Sequence, residues 1–418
     1  MSRILAYTSP ARGHLFPLTP ILDELRRRGH EVVLRTLASE VETMRSRGVE
    51  AGPIDPAIEA IEHDDWRARS QRTSLQRSVA TFSARAEHDG PDLRKAIEAE
   101  RPDAVIVDVA TWGAMSAAEA WGGPWAAFCP HPLPLPSRDA PPFGPGLPPA
   151  RGPLGRLRDG ALKPVLFGGL ERIVLPPLNR IRSPLGLREL RDVEDLYSSP
   201  PLLLYMTAEP FEYPRSDWPD SVVMVGPCDW DPPAEPLPLL NEIETPIVLV
   251  TTSSEFQDDA RLVRASLAAL AGEPVHVIAT LPAAFDDDIA APANASVLRF
   301  APHGAILDRA VCAVTHGGMG ATQKALVRGV PVCAVPFGRD QLEVARRVEV
   351  AGAGSRLSAR RLRADRLLAK VHEAIGRAEG ARAVAASFAA AGGGIAAADA
   401  LEARLLGRRP APPPREHA

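Results

Sequence analysis

The sequence predicts an α/β protein of two domains, each a parallel sheet covered by helices on both faces, set opposite one another across a cleft. Three observations predict it. At about 150 residues per domain, 418 residues correspond to two or three domains. Short β-prone runs alternate with helix-spaced segments in both halves, as in parallel strands joined by crossover helices. Between the halves lie residues 227–238, PCDWDPPAEPLP, whose repeated prolines make a stiff, extended connector. Open α/β sheets bind ligands beyond the carboxyl ends of their strands, so the cleft is where a site is expected.

Composition narrows the function classes. The chain has 48 basic and 52 acidic residues, interspersed, for a formal net charge of −4. That leaves no electrostatic footprint for a nucleic-acid or polybasic membrane binder, and the expected partner is a small molecule. Cys129, Cys228, Cys312 and Cys333 are far apart and three lie in apolar runs, which argues against a zinc site or disulfide framework and for a reducing cytoplasm. Charges at Arg3, Arg12, Asp23, Glu24 and Arg26 to Arg28 interrupt any secretory apolar run. Nothing approaches the roughly eighteen unbroken apolar residues of a membrane span, so no stable membrane insertion is expected. Proline, at 43 residues, is about twice its usual share, and its clusters mark organisation.

In the first half, residues 4–7 read as a strand, 8–14 as a glycine-bearing loop, and Leu18, Ile21, Leu22 and Leu25 give the spacing of a helix. Residues 31–36 follow as a strand, 39–47 as a helix, 104–107 as a strand ending at Asp108, 112–121 as a helix and 125–128 as a strand. Residues 130–153 hold ten prolines, which donate no ladder hydrogen bonds, so they read as an irregular insertion. An apolar, Arg-rich segment precedes two more strands, 202–206 and 222–225.

The second half repeats the alternation. Strands are predicted over 247–251, 275–280, 297–300, 311–315 and 332–335, with helices over 258–271, 319–327 and 341–350. Helices near 362–376 and 380–404 complete the ordered chain, and the proline-rich 408–418 reads as a disordered tail. The resulting division is 1–226 for one domain, 227–242 for the linker, 243–385 for the second domain, and 386–407 as a terminal helix returning to the first.

Residues with chemistry collect at the strand ends. His316-Gly317-Gly318-Met319-Gly320 carries a strand into a helix, so free N–H groups and the helix dipole can hold phosphate oxygens, with His316 adding a donor. The same glycines also suit a plain tight turn. The segment lacks the lysine and spacing of a Walker loop and the spacing of a GxGxxG fingerprint. Gly13-His14 lies at the mouth of the first strand, where an imidazole suits general-base work. Asp108 ends another strand of the same sheet and can orient that imidazole, or cap the helix that follows.

Three blocks together resemble bacterial natural-product glycosyltransferases, of the macrolide and antibiotic type, in the UDP-glycosyltransferase superfamily. They are Phe300-Ala301-Pro302-His303, Thr315 to Thr322, and Gly329-Val330-Pro331 through Pro336 to Asp340-Gln341. Gly13-His14-x-x-Pro17 and Pro102-Asp103 to Asp108 match as well, and the resemblance runs over most of the chain. It implies two Rossmann-like domains in the glycosyltransferase B-type (GT-B) fold. The first domain would bind the acceptor and the second a UDP- or TDP-sugar, a co-substrate and not a resident cofactor.

By that resemblance Phe300 would stack on the base, the Ala301 backbone would read its edge, and His303 would lie against base or ribose. His316, Gly318 and the backbone of Gly320 and Ala321 would hold the diphosphate, and Asp340 and Gln341 the sugar hydroxyls. An aromatic face, helix N-terminal donors and a carboxylate with an amide suit those three ligand parts. Ala321 replaces a serine or threonine common in relatives, with Thr322 as a substitute, and Ser253 and Ser254 offer further hydroxyls in place of a glycine turn. Lys324 stands where plant relatives carry a ribose-binding glutamate, and it reads as a solvated helix lysine.

His14, assisted by Asp108, would then deprotonate an acceptor hydroxyl for a single inverting displacement, the activity of a hexosyltransferase. His316 and the helix N-terminus would meet the leaving charge without a metal, since Asp229-x-Asp231 lies in the linker and Asp286 to Asp288 in a loop. Trp66, Phe82, Trp112, Phe143 and Phe167 offer apolar surface for an aglycone, Trp112 and Phe143 foremost. Three other readings fit the fold: a nucleotide-sugar 2-epimerase, a lipid glycosyltransferase at a membrane surface using the Arg-rich 151–191, and a non-catalytic nucleotide-sugar-binding partner protein.

Overall fold

In a computed structural model of the protein, which describes residues 1–257, 259–281 and 289–407, two parallel sheets stand side by side. The first contains β1 (Arg3–Tyr7), β2 (Glu31–Thr36), β3 (Glu50–Pro53), β4 (Ala104–Asp108), β5 (Trp125–Cys129), β6 (Leu203–Tyr205) and β7 (Val222–Met224), in the order β3-β2-β1-β4-β5-β6-β7. The second contains β8 (Ile247–Thr251), β9 (His276–Thr280), β10 (Ala295–Leu298), β11 (Ala310–Thr315), β12 (Val332–Ala334) and β13 (Gly354–Arg356), in the order β10-β9-β8-β11-β12-β13. Each order reverses once, between β1 and β4 and between β8 and β11. A crevice opens at such a reversal, and both fall where the predicted site residues leave the sheets.

Both faces of each sheet are dry. Leu5 and Tyr7 of β1 join one core and Ile4 and Ala6 the other, the alternation a doubly covered strand requires. Ile247 and Leu249 against Val248 and Val250 repeat it in β8. The Arg12–Arg27 helix seals one face of the first sheet with Leu15, Leu18, Ile21, Leu22 and Leu25.

Several elements differ from expectation. Helices Gln71–Glu100 and Gly152–Arg182 are long, yet Pro91 interrupts the first and Pro164, Pro176 and Pro177 the second, which hides them in a sequence pattern. β3 and β13 are short edge strands containing Gly52, Pro53 and Gly354, residues that read as turns. The helix expected over 380–404 is two, Ala378–Ala391 and Gly393–Leu405, broken at Gly392 with φ +89°. Ala381, Val384 and Phe388 of the first pack on the second domain, while Ala397, Ala398 and Leu401 of the second pack on the first. The change of domain therefore falls at residue 392, not 386. Ala378–Leu405 is also the one stretch among the described residues apolar and long enough to cross a membrane, and it is this broken, docked pair. The expected tail 408–418 and the loop Asp286 to Asp288 lie outside the described residues.

The proline-rich insertion crosses to the other domain. Gly144 and Gly146 donate their N–H groups to Glu343 Oε1 at 2.8 and 2.9 Å, and Arg346 Nε donates to the Gly146 carbonyl. Beneath them Arg347, fully buried, bridges Glu212 of the first domain and Glu343 of its own helix, Gln341–Val350.

Candidate active site

The reversal in the first sheet brings His14 to Asp108. His14 sits in the first turn of the Arg12–Arg27 helix, one step beyond the loop expected for it. Its Nδ1 lies 2.9 Å from Asp108 Oδ1. The carboxylate is wholly buried and accepts N–H bonds from Ser9 at 3.0 Å and Ala110 at 2.9 Å. Thr111, not Asp108, precedes the Trp112–Trp121 helix, so the carboxylate is free of capping and serves the imidazole. Burial disfavours the His14 imidazolium, but the charge and hydrogen bond of Asp108, with Glu255 and Asp340 beyond, outweigh it and hold the pKa above the ordinary histidine value. Burial likewise opposes the Asp108 anion, yet His14 and the two N–H groups keep its pKa below the carboxylate range. His14 lines the cleft and Asp108 lies behind it.

A second histidine stands beside the pair. His131, just past β5, has its ring centroid 5.9 Å from that of His14 and lines the same cavity. Nothing in its local sequence, Cys129-Pro130-His131-Pro132, marks it; only the strand order brings it there.

Across the cleft, β11 delivers His316 to the Met319–Val327 helix. Gly317 turns the chain at φ +84°, a backbone conformation few other residues adopt. A Cβ on Gly318 would collide with the His316 imidazole, so that glycine makes room for the ring. Burial lowers the His316 pKa to about 4, so its ring is neutral. Gly318, Gly320 and Ala321 line the cavity with the unpaired N–H end of the helix. Thr322 does not reach it. Its side chain is fully buried, with its hydroxyl 3.5 Å from that of Thr315, so it cannot replace the hydroxyl missing at Ala321. Ser253 and Ser254 line the cavity, the Ser253 hydroxyl accepting from Glu255 N–H and Gln257 Nε2.

Phe300, Ala301 and His303 line one end, Phe300 with its ring half exposed. His303 Nε2 lies 3.0 Å from Thr280 Oγ1, and burial lowers its pKa to about 4. Lys324 is not solvated: its ammonium donates to the Trp230 carbonyl at 2.7 Å and Asp231 Oδ1 at 2.6 Å in the linker. Asp340 lines the cavity, and so does Gln341. The Gln341 carbonyl accepts from Phe337 and Gly338 N–H at 2.8 and 3.0 Å and its amide donates to Gln257, leaving one N–H for a ligand.

Between the two halves lies a cavity of about 2100 Å³. Trp66, Phe82, Trp112 and Phe143 line its first-domain wall; Phe167 is buried and does not. Trp112, nearly buried, packs on Phe82 with ring centroids 5.4 Å apart. Arg339 reaches across to both oxygens of Asp65 at 2.8 and 2.9 Å, and holds Glu255 at 2.7 Å. The Trp66 and Phe256 rings meet beside it at 4.7 Å. No sequence pattern links these partners.

Residues 261–397 match the family described as "Erythromycin biosynthesis protein CIII-like, C-terminal domain". The chain is 33% identical over 382 residues to 4'-demethylrebeccamycin synthase of Lentzea aerocolonigenes, covering 86% of this chain and 89% of that protein. It belongs to the natural-product glycosyltransferases. Among solved structures, the glycosyltransferase of kitacinnamycin superposes with a TM-score of 0.72 at 25% identity, over 97% of this chain and 99% of the other. VinC, solved in complex with DTDP, gives a TM-score of 0.71 at 21% identity, over 97% and 100%. The two facing domains of this glycosyltransferase are thus the GT-B fold, as the resemblance implied.

Proposed function

We propose that this glycosyltransferase transfers a sugar from TDP or UDP, with inversion and without a metal ion, to a hydroxyl on an apolar aglycone. The observation that carries the reading is the opposition of the His14–Asp108 pair, with the carboxylate buried behind a histidine that lines the cleft, to a helix N-terminus flanked by His316. The acceptor O–H proton passes to the free nitrogen of His14, whose developing positive charge Asp108 stabilises. The acceptor oxygen bonds to the anomeric carbon from the face away from the nucleotide, and the bond to the diphosphate breaks. One displacement inverts the centre. Charge growing on the leaving diphosphate meets N–H groups already aimed at it. The carboxylates of Asp229 and Asp231 are neutralised by Lys324 and Arg328, which supports charge stabilisation by the backbone rather than through an Asp-x-Asp metal site. VinC, which shares the fold, binds DTDP, and the same pyrimidine class is proposed here.

Calorimetric titration with UDP, TDP, GDP and ADP, with and without magnesium, tests the donor half. The expected result is micromolar, magnesium-independent binding of TDP or UDP that His316→Ala loses. Binding of none of the four, or binding that requires magnesium, overturns the reading.

A further inference from the structure

The second histidine of the cleft has no part in that displacement. His131 Nδ1 lies 3.3 Å from the Pro132 carbonyl, which only accepts, and 3.6 Å from the Cys129 sulfur, whose own proton goes to the His131 carbonyl, so this nitrogen carries the proton and Nε2 the lone pair. The backbone around it is tied in turn, since the Cys129 thiol donates to the His131 carbonyl at 3.1 Å. Nothing among the described residues bonds to Nε2. Burial, and after it the neighbouring His14, lower the His131 pKa.

Once an acceptor displaces water from the cleft wall, that lone pair is costly to leave without a donor. The diphosphate offers mainly acceptors and is assigned to the other domain, and His131 shares its domain and its neighbour with the acceptor's base. We propose that His131 determines acceptor specificity. Its Nε2 accepts a hydrogen bond from a second O–H or N–H of the acceptor, next to the hydroxyl that His14 deprotonates. With ring centroids 5.9 Å apart, the two histidines fit one rigid ring system bearing donors on adjacent or next-but-one atoms. The preferred acceptor is therefore an apolar polycycle with paired donors, and this rests on the transferase reading above.

The test is binding of two probes to the full-length protein saturated with TDP: alizarin, with hydroxyls on adjacent ring atoms, and the monohydroxyanthraquinone lacking one of them. Wild-type protein is expected to bind alizarin about tenfold more tightly. His131→Phe should bind both probes equally, and His131→Gln, whose amide oxygen accepts, should regain part of the preference. Unchanged TDP affinity in both variants confirms that they fold. Equal binding of the probes to wild type, a preference that survives His131→Phe, or binding of neither probe to a TDP-saturated protein overturns the proposal. Failure to bind TDP or UDP at all would instead overturn the transferase reading.

Discussion

His14 Nδ1 and Asp108 Oδ1 meet at 2.9 Å, and the Asp108 carboxylate is pinned from behind by the Ser9 and Ala110 N–H groups. Asp108 thus orients the imidazole and supplies the main charge that raises its proton affinity. In Asp108→Asn the ring loses the charge that raises its pKa, and kcat/KM should fall by about 10³-fold. A general base works when neutral, so on the proposed mechanism wild-type kcat/KM rises with pH through the raised pKa. In the variant that rising limb should move to lower pH. A pH profile of both proteins decides it, and an unmoved limb would remove Asp108 from the role.

Gly318 gives a cleaner test of the donor loop than deletion of the histidine. Its substitution by alanine keeps the His316 side chain but drives a methyl group into the ring's position. TDP or UDP affinity should drop about tenfold while thermal unfolding stays within about 1 kcal/mol of wild type. Calorimetry alongside a melting curve separates the two, and retained affinity would mean that the ring is not needed where it lies.

Arg339 joins the domains over the cleft. Arg339→Gln leaves Asp65 buried with its charge unmatched and should let the domains part. Small-angle scattering should show a larger radius of gyration for the unliganded variant, converging on wild type when nucleotide is added. Equal radii without nucleotide would show that the bridge does not hold the domains together.

Arg347 is the charge on which the interior depends. Replacing it with methionine removes the charge that bridges Glu212 and Glu343, leaves Glu212 with Arg215 alone as a counter-charge, and should cost about 3 kcal/mol in chemical denaturation. Burial pushes the Glu212 pKa up, but Arg347 and Arg215 bring it below its ordinary 4.5. A lowered carboxyl stabilises the fold above that ordinary value and ceases to do so as pH falls through the lowered one. The wild-type protein should lose stability on acidification below about pH 4.5, and Arg347→Met should lose less over the same range.

Much of this was legible in the sequence because strand, turn and helix there are local. The run from Val311 to Gly320 shows its apolar strand, its glycines and its helix within ten residues, and His14 and Asp108 stand at the ends of strands whose patterns are plain. Contacts across the domains were not legible. Asp65 and Arg339 are separated by 274 positions, and a surface-type charge pair has no periodicity. Thr322 illustrates the converse limit: its neighbours Ala321 and Gln323 line the cavity, but a helix turns about 100° per residue, and one step carries its hydroxyl from the cavity to the core. Gln341 was found but half engaged, its carbonyl oxygen already committed to two backbone donors.

The chain passes between its domains twice, and the two passages touch. Gly393 donates its N–H to the Val225 carbonyl at 2.7 Å, and Gly226, at φ +82°, leaves space that the Ala391 side chain fills. Two threads stitched at one point behave as a pivot. Sliding one sheet past the other would tear that stitch, whereas swinging about it leaves the stitch whole. Opening and closing should therefore follow a single arc, along which His14 and His316 approach and separate face to face without losing their alignment.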